Sequence, residues 1–266
     1  VLRDRIITAL LLAPFLLWLV LWAPNTVTVP VIAVAILIGA WEWAQFCEWR
    51  LLWQRLIYVL VIGVAMLLAS YFGATATGLY FVWAVALLWW GVAFCWLIFA
   101  PLRINSLFAA IAGVLVLAPT WLAMIRLLSV RVHGVSYLLF VLVLVVAADI
   151  GAYFAGRTFG RLKLAPRVSP GKTWEGAIGG VTSAALVAIA GAHWFDLPLS
   201  RFLSLCIAVA VVSIVGDLTE SMFKRNVGLK DSSSLLPGHG GILDRIDSWT
   251  AATPVFALGL MWLEVL

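Results

Sequence analysis

Apolar runs of about 15 to 22 residues, each bounded by charges, prolines or polar clusters, repeat along almost the whole of this chain. About 20 apolar residues cross the roughly 30 Å hydrocarbon core of a bilayer as a helix, which satisfies every backbone polar group internally. The pattern therefore predicts an all-α, polytopic integral membrane protein. Composition agrees: 65% of the 266 residues are hydrophobic and 11% are charged, against about 25% charged in an ordinary soluble domain. That balance excludes a soluble globular enzyme, a disordered tail and a small disulfide scaffold. Cys47, Cys95 and Cys206 are scattered without CxxC spacing, so neither zinc nor a disulfide framework is indicated.

Nine spans are expected, at 6–22, 27–41, 56–72, 79–99, 107–125, 135–154, 176–195, 201–216 and 251–266. With the amino terminus inside, 14 of the 17 basic residues fall on the inner side and only Arg126, Arg131 and Arg201 outside. This is the positive-inside bias of a multi-pass protein of a bacterial-type inner membrane. The net charge of +5 accordingly reports topology and contact with anionic membrane lipids, not nucleic acid. Ten of the twelve carboxylates also fall on the inner side, and because acidic residues contribute little to topology, they call for another explanation. The chain divides into an amino-terminal set of helices, 1–134, and a carboxy-terminal set, 135–266. The second set carries two polar inner segments, 149–175 and 217–247, which hold 16 of the 29 charged residues.

Asp217, Glu220, Ser221 and Lys224 stand at i, i+3, i+4 and i+7, on one face of a helix that continues the eighth span out of the bilayer. Asp244 and Asp247 are again three apart, and point the same way if that stretch is helical. A hard cation such as Mg²⁺ takes a few carboxylate oxygens together with substrate phosphate oxygens and water, which this grouping can supply. The alternative is a set of solvated helix ends with ordinary ion pairs. Between the two lies PGHGG, 237–241, whose glycines allow positive φ and close backbone approach, so that successive N–H groups could line an anion site. His239 within it is either an acid–base group or a loop former.

SPGKTWEG, 169–176, invites a P-loop reading, but GxxxxGK[ST] needs glycine where Pro166 stands, and a strand before it. What remains is Lys172 and Thr173 at the start of an apolar helix, where an anion is favoured; a lysine snorkelling at a helix end is the competing account. Asp149 follows an unbroken apolar run. An unpaired carboxylate costs about 2.5–3.5 kcal/mol at the centre of a membrane helix and less at its boundary. It is expected to have a basic partner, either Arg157 or a group from the second polar segment.

The stretch SMFKRNVGLKDSSSLLPGHGGILDRID, 221–247, together with GDLTES and ADIGAYFAGR…SPGKTWEG upstream, resembles the phosphatidate cytidylyltransferases, or CDP-diacylglycerol synthases. Ile150 departs from the small hydroxyl residue that many members have after Asp149. The resemblance covers the carboxy-terminal half closely and the amino-terminal half in character. It implies a cytoplasm-facing, homodimeric membrane enzyme. The implied reaction takes CTP and phosphatidate of the inner leaflet to CDP-diacylglycerol and pyrophosphate, with a divalent ion, Mg²⁺, as cofactor and room for a second, monovalent cation.

On this reading Asp217 and Asp244 lead the metal ligands, with Asp247 and Asp231 as further ones. Lys172, Lys224, Arg225, Lys230 and Arg245 hold phosphates, His239 serves catalysis, and Gly240, Gly241, Ser221, Thr173 and Asp149 contact substrate. A CTP-using enzyme acting on an isoprenoid glycerol phosphate or a polyprenol is the nearest alternative. A transporter would carry its charges mid-membrane rather than at one face.

Overall fold

A computed structural model describes residues 10, 14–99, 104–238 and 240–266 of the chain. Its helices are α1 (Asn25–Trp43), α2 (Leu52–Phe72), α3 (Ala76–Phe99), α4 (Ser106–Ser129), α5 (Gly134–Phe159), α6 (Trp174–Trp194), α7 (Leu199–Asn226) and α8 (Leu243–Trp262). Residues 14–21 are also helical; the rest of the first expected span that precedes them, apart from residue 10, lies outside the described residues. Among the described residues, α1 to α7 are the seven helices long and apolar enough to cross a membrane. The protein is thus a helical, polytopic membrane protein.

The helical architecture carries one small non-helical element. Strands β1 (Lys163–Ala165) and β2 (Ser169–Thr173) form a small antiparallel ribbon between α5 and α6, pairing Lys163 with Thr173 and Ala165 with Ser169. Pro166 and Pro170 keep this stretch from being helix, and the turn closes with Val168 N–H on the Ala165 carbonyl at 3.2 Å. A strand therefore does precede Lys172–Thr173 and α6, although Pro166 still denies the stretch a phosphate-cradling glycine loop.

Helix lengths explain how polar chemistry sits on apolar rods. At 1.5 Å per residue, the 28 residues of α7 reach about 42 Å, well beyond a hydrocarbon core of about 30 Å. The excess carries Asp217 to Lys224 past the apolar zone. The carboxy-terminal turns of α5, with Asp149 and Arg157, overrun in the same way. Helix α8 begins eight residues before the expected ninth span, so that Asp244 and Asp247 both lie on it, and ends at Trp262.

Small residues bring the helices that carry the site unusually close. Gly151 and Gly156 of α5 face Gly176, Gly179 and Gly180 of α6, and a Cβ on Gly180 would stand 2.8 Å from the Ala148 carbonyl oxygen. Such small-xxx-small crossings let membrane helices gain packing and weak backbone contacts where lipid offers no hydrophobic drive. Gly216 does the same for α7 and α8: a Cβ there would meet Ala251 Cβ at 2.8 Å and the Asp247 carbonyl at 2.9 Å.

Helix α4 is the most enclosed of the seven and ties the bundle together. Pro254 in α8 has no N–H, so the Thr250 carbonyl lacks its intrahelical donor. The buried Thr120 hydroxyl of α4 lies 2.9 Å from that carbonyl.

The two ends of the bundle differ in character. One gathers the end of α1, the start of α4, the ribbon, the end of α7 and the start of α8. The Asn226 side chain clamps both backbone groups of Ile104 there, at 2.9 and 3.2 Å. At the other end, Arg126 donates to the Gly73 carbonyl at 2.7 Å. The aromatic cluster of Trp43, Phe46, Trp96 and Phe223 packs beneath the first end and gives it a rigid floor.

Candidate active site

Lys172, at the end of β2, reaches across to α7 and pairs with Asp217 at 2.6 Å, with both side chains about a quarter exposed. It is held over a carboxylate by the ribbon, while Thr173 caps α6 by accepting the Gly176 N–H at 3.1 Å. Ser221 donates to the other Asp217 oxygen at 3.3 Å.

Asp247 lies on α8 near enough for the Asp217 charge to act on it. Its carboxyl is pushed well above the usual range by burial and by Asp217, against the partial relief of Lys224 and the Ser248 N–H. Gly216 is what permits this proximity, since any side chain there would hold the α8 backbone away.

A second cluster adjoins the first. The buried Lys224 bridges Glu220 at 3.1 Å and Asp244 at 2.8 Å. The other Asp244 oxygen accepts the Ser232 N–H at 2.8 Å, the Ser232 hydroxyl at 2.9 Å and the Gly241 N–H at 2.8 Å. Burial alone would push the Asp244 carboxyl up; Lys224 and the Gly241 and Ser232 N–H groups outweigh it and hold it below the usual range.

Of the four expected metal ligands, Asp244 is the most heavily engaged by the chain, with four donors on its two oxygens, against Lys172 and Ser221 on Asp217 and the Ser248 N–H on Asp247. Among the described residues no three His, Cys, Asp or Glu form a ready-made metal cage. Asp217 with Asp247 nevertheless fits a hard cation completed by phosphate oxygens and water. Two carboxylates repelling each other favour such a charge, and Asp247 in particular would be returned to its ionised form by it.

The glycine loop is turned inward. Gly238 and Gly240 take φ of 75° and 79°, and Leu236 N–H bonds the Gly240 carbonyl at 2.8 Å. The Gly241 N–H is spent on Asp244, so this amide serves the chain's own carboxylate. His239 lies outside the described residues.

Arg225 donates to the Val168 carbonyl at 3.4 Å and the Leu229 carbonyl at 3.1 Å, fastening the ribbon to the end of α7. Lys230, Asp231 and Arg245 are exposed and line an open polar cavity of about 580 Å³ with Ser233, Ser234, Leu236, Pro237, Gly238 and Gly240. Asp149, Tyr153, Lys172 and Asp217 line a second cavity of about 400 Å³ whose other walls include Ala152, Leu164, Ala177 and Ile214.

Of the two expected sources of a basic partner for Asp149, Arg157 and the second polar segment, Arg157 is turned elsewhere, while Arg245 of the second segment acts on it. Arg157 bonds the Tyr153 hydroxyl at 2.8 Å, whereas Lys172 and Arg245 are the cations whose charges reach Asp149. Arg245, which lines the polar cavity, is thus among the charges acting on Asp149 in the other one.

Sequence reasoning assigned no role to Glu42. This carboxylate near the end of α1 is 1% exposed, accepts hydrogen bonds from Ser233, Ile242 and Leu243 and lies 3.2 Å from the Ser232 hydroxyl. An ionisable residue between Trp41 and Trp43 in an apolar helix is a functional signal in itself, and it was the one available.

Fold and site define a membrane-embedded transferase class, in which lysines and carboxylates at one end of a helical bundle meet an apolar and a polar cavity. The chain belongs to the cytidylyltransferase family, whose model matches residues 3–263. It is 41% identical to the phosphatidate cytidylyltransferase of Haemophilus influenzae, over 96% of this chain and 97% of that protein. It is likewise 41% identical to that of Pseudomonas aeruginosa, over 98% and 97%, and 35% identical to that of Brucella melitensis, over 97% and 92%.

Proposed function

We propose that this protein transfers the cytidylyl group of CTP to phosphatidate, giving CDP-diacylglycerol and pyrophosphate for phospholipid synthesis. The observation that carries the reading is the Lys172–Asp217 pair lining a largely apolar cavity, with the Asp217 charge acting on Asp247, in a chain of this family. A phosphatidate oxygen attacks the α-phosphorus of CTP; the bond to the β-phosphate oxygen breaks, and the departing pyrophosphate takes the electron pair. Positioning and charge neutralisation dominate such transfers, and no covalent nucleophile is needed.

Lys172 neutralises the lipid phosphate in the apolar-walled cavity, with the acyl chains leaving laterally between α5 and the ribbon. Lys230 and Arg245 hold the triphosphate in the polar one. Lys224 and Arg225 act behind the site: Lys224 orients Asp244, and Arg225 fixes the ribbon that carries Lys172. Asp217 and Asp247 are the residues to hold Mg²⁺, which would supply positive charge to the reacting phosphates. We read the site as cytoplasmic, on a nine-span homodimer of the bacterial inner membrane; the 14 to 3 division of basic residues supports the orientation.

The test uses CTP labelled at the α-phosphate with detergent-solubilised protein. Label is expected in the lipid phase with phosphatidate. Label entering lipid only with an isoprenoid glycerol phosphate or a polyprenol would replace phosphatidate as substrate, and no pyrophosphate release with any of them would contradict transfer.

A further inference from the structure

We propose that Glu42 is a positioning residue for cytidylyl transfer: from α1 it fixes Ser232, Ser233, Gly241 and the start of α8, and through Ser232 it sets Asp244 and Lys224. The proposal rests on the function given above and extends it to a helix distant in sequence from both polar segments.

The geometry is specific. One Glu42 oxygen accepts from the Ser233 hydroxyl at 2.6 Å and the Ile242 N–H at 3.1 Å. The other accepts from the Leu243 N–H at 2.7 Å and lies 3.2 Å from the Ser232 hydroxyl. Both N–H groups belong to the unpaired start of α8, where a carboxylate is favoured by the helix dipole as well as by hydrogen bonding. Gln45, one turn on, donates to the Ser232 carbonyl at 2.8 Å. Helix α1 therefore grips the loop at residues 232, 233, 242 and 243.

Ser232 is the hinge of the arrangement. Its hydroxyl has a single proton and stands between two carboxylates, 2.9 Å from Asp244 and 3.2 Å from Glu42. The shorter contact takes the proton, leaving Glu42 served by Ser233 and the two amides. Gly241 packs against this junction with no space for a Cβ, which would meet the Ser232 hydroxyl and both Glu42 oxygens. Moving Glu42 thus moves Ser232 and Gly241, which supply all three donors to one Asp244 oxygen, and so shifts Lys224 on the other. No substrate touches Glu42 in this account; it acts by holding others.

Glu42→Gln keeps the volume and removes one acceptor, because its amide must face one of the donors now directed at the carboxylate. The expected result is kcat reduced about tenfold or more, with the KM for phosphatidate within about twofold of wild type. Hydrogen exchange at the Ile242 and Leu243 amides should be faster by about tenfold or more. A purely bracing role would lower the thermal midpoint and leave kcat per folded molecule unchanged, and that result overturns the proposal.

In the cycle with Ser232→Ala, the double variant should be no slower than the slower single variant, within about twofold; losses that multiply would contradict action through Ser232. If Glu42→Gln yields no folded protein, Glu42→Asp, which keeps the charge one methylene short, is held to the same expectations. Were wild-type protein to transfer nothing to phosphatidate, the function would fall while the exchange measurement still judged Glu42.

Discussion

Lys224 and Lys172 are both lysines on carboxylates, yet their surroundings give them different work. Lys224 is buried between Glu220 and Asp244, so its removal leaves two carboxylates without their counter-charge. Breaking a buried pair in this way costs about 3–5 kcal/mol. Lys224→Ala is therefore expected to lower the thermal midpoint sharply in detergent, and an unchanged midpoint would contradict a bracing role. Lys172 is partly exposed and faces a cavity. Lys172→Ala is expected to keep the midpoint near that of wild type while kcat/KM for phosphatidate falls about tenfold or more, the scale of one charge-assisted contact.

Sequence spacing made the row Asp217, Glu220, Ser221, Lys224 legible, because a single helix fixes which side chains share a face. It could not tell that Asp244 is saturated by Ser232, Gly241 and Lys224, nor that Glu42 stands behind them, because those contacts join positions up to 201 residues apart.

At the scale of elements, glycines decide where helices meet and hence which carboxylates meet. Gly216 lets α8 come close enough for Asp247 to sense Asp217. Gly216→Val should destabilise the protein by about 1–3 kcal/mol through overpacking and reduce turnover further than the loss of folded protein explains. Activity that simply tracks the folded fraction would contradict a positioning role for this crossing.

The long helices were legible because apolar length is a strong signal. The ribbon was not: Lys163–Ala165 and Ser169–Thr173 are short and rich in Lys, Pro and Gly, which carry little strand preference, and it is framed by contacts beyond its own sequence, among them Arg225 on the Val168 carbonyl, Lys172 on Asp217 and the Trp174 N–H on the Leu162 carbonyl at 2.9 Å.

For the whole molecule, asymmetry of charge and asymmetry of chemistry point the same way. The end bearing Lys172, Lys224, Lys230 and Arg245 is the basic end, and the end bearing Arg126, Arg131 and His133 is poor in charge. In a Cys95→Ala background, Val132→Cys should react with a membrane-impermeant thiol reagent added to intact cells, and Leu162→Cys only after permeabilisation. The opposite pattern would reverse the proposed orientation.

We propose that the Lys172–Asp217–Asp247 group performs the transfer. This proposal is tested most directly by Asp217→Asn, measured as CDP-diacylglycerol formed from CTP and phosphatidate at matched amounts of folded protein. The account predicts a kcat lower by at least about 100-fold, the scale of losing one electrostatic contact to a transition state, with the thermal midpoint retained. Near-normal turnover in that variant would contradict it.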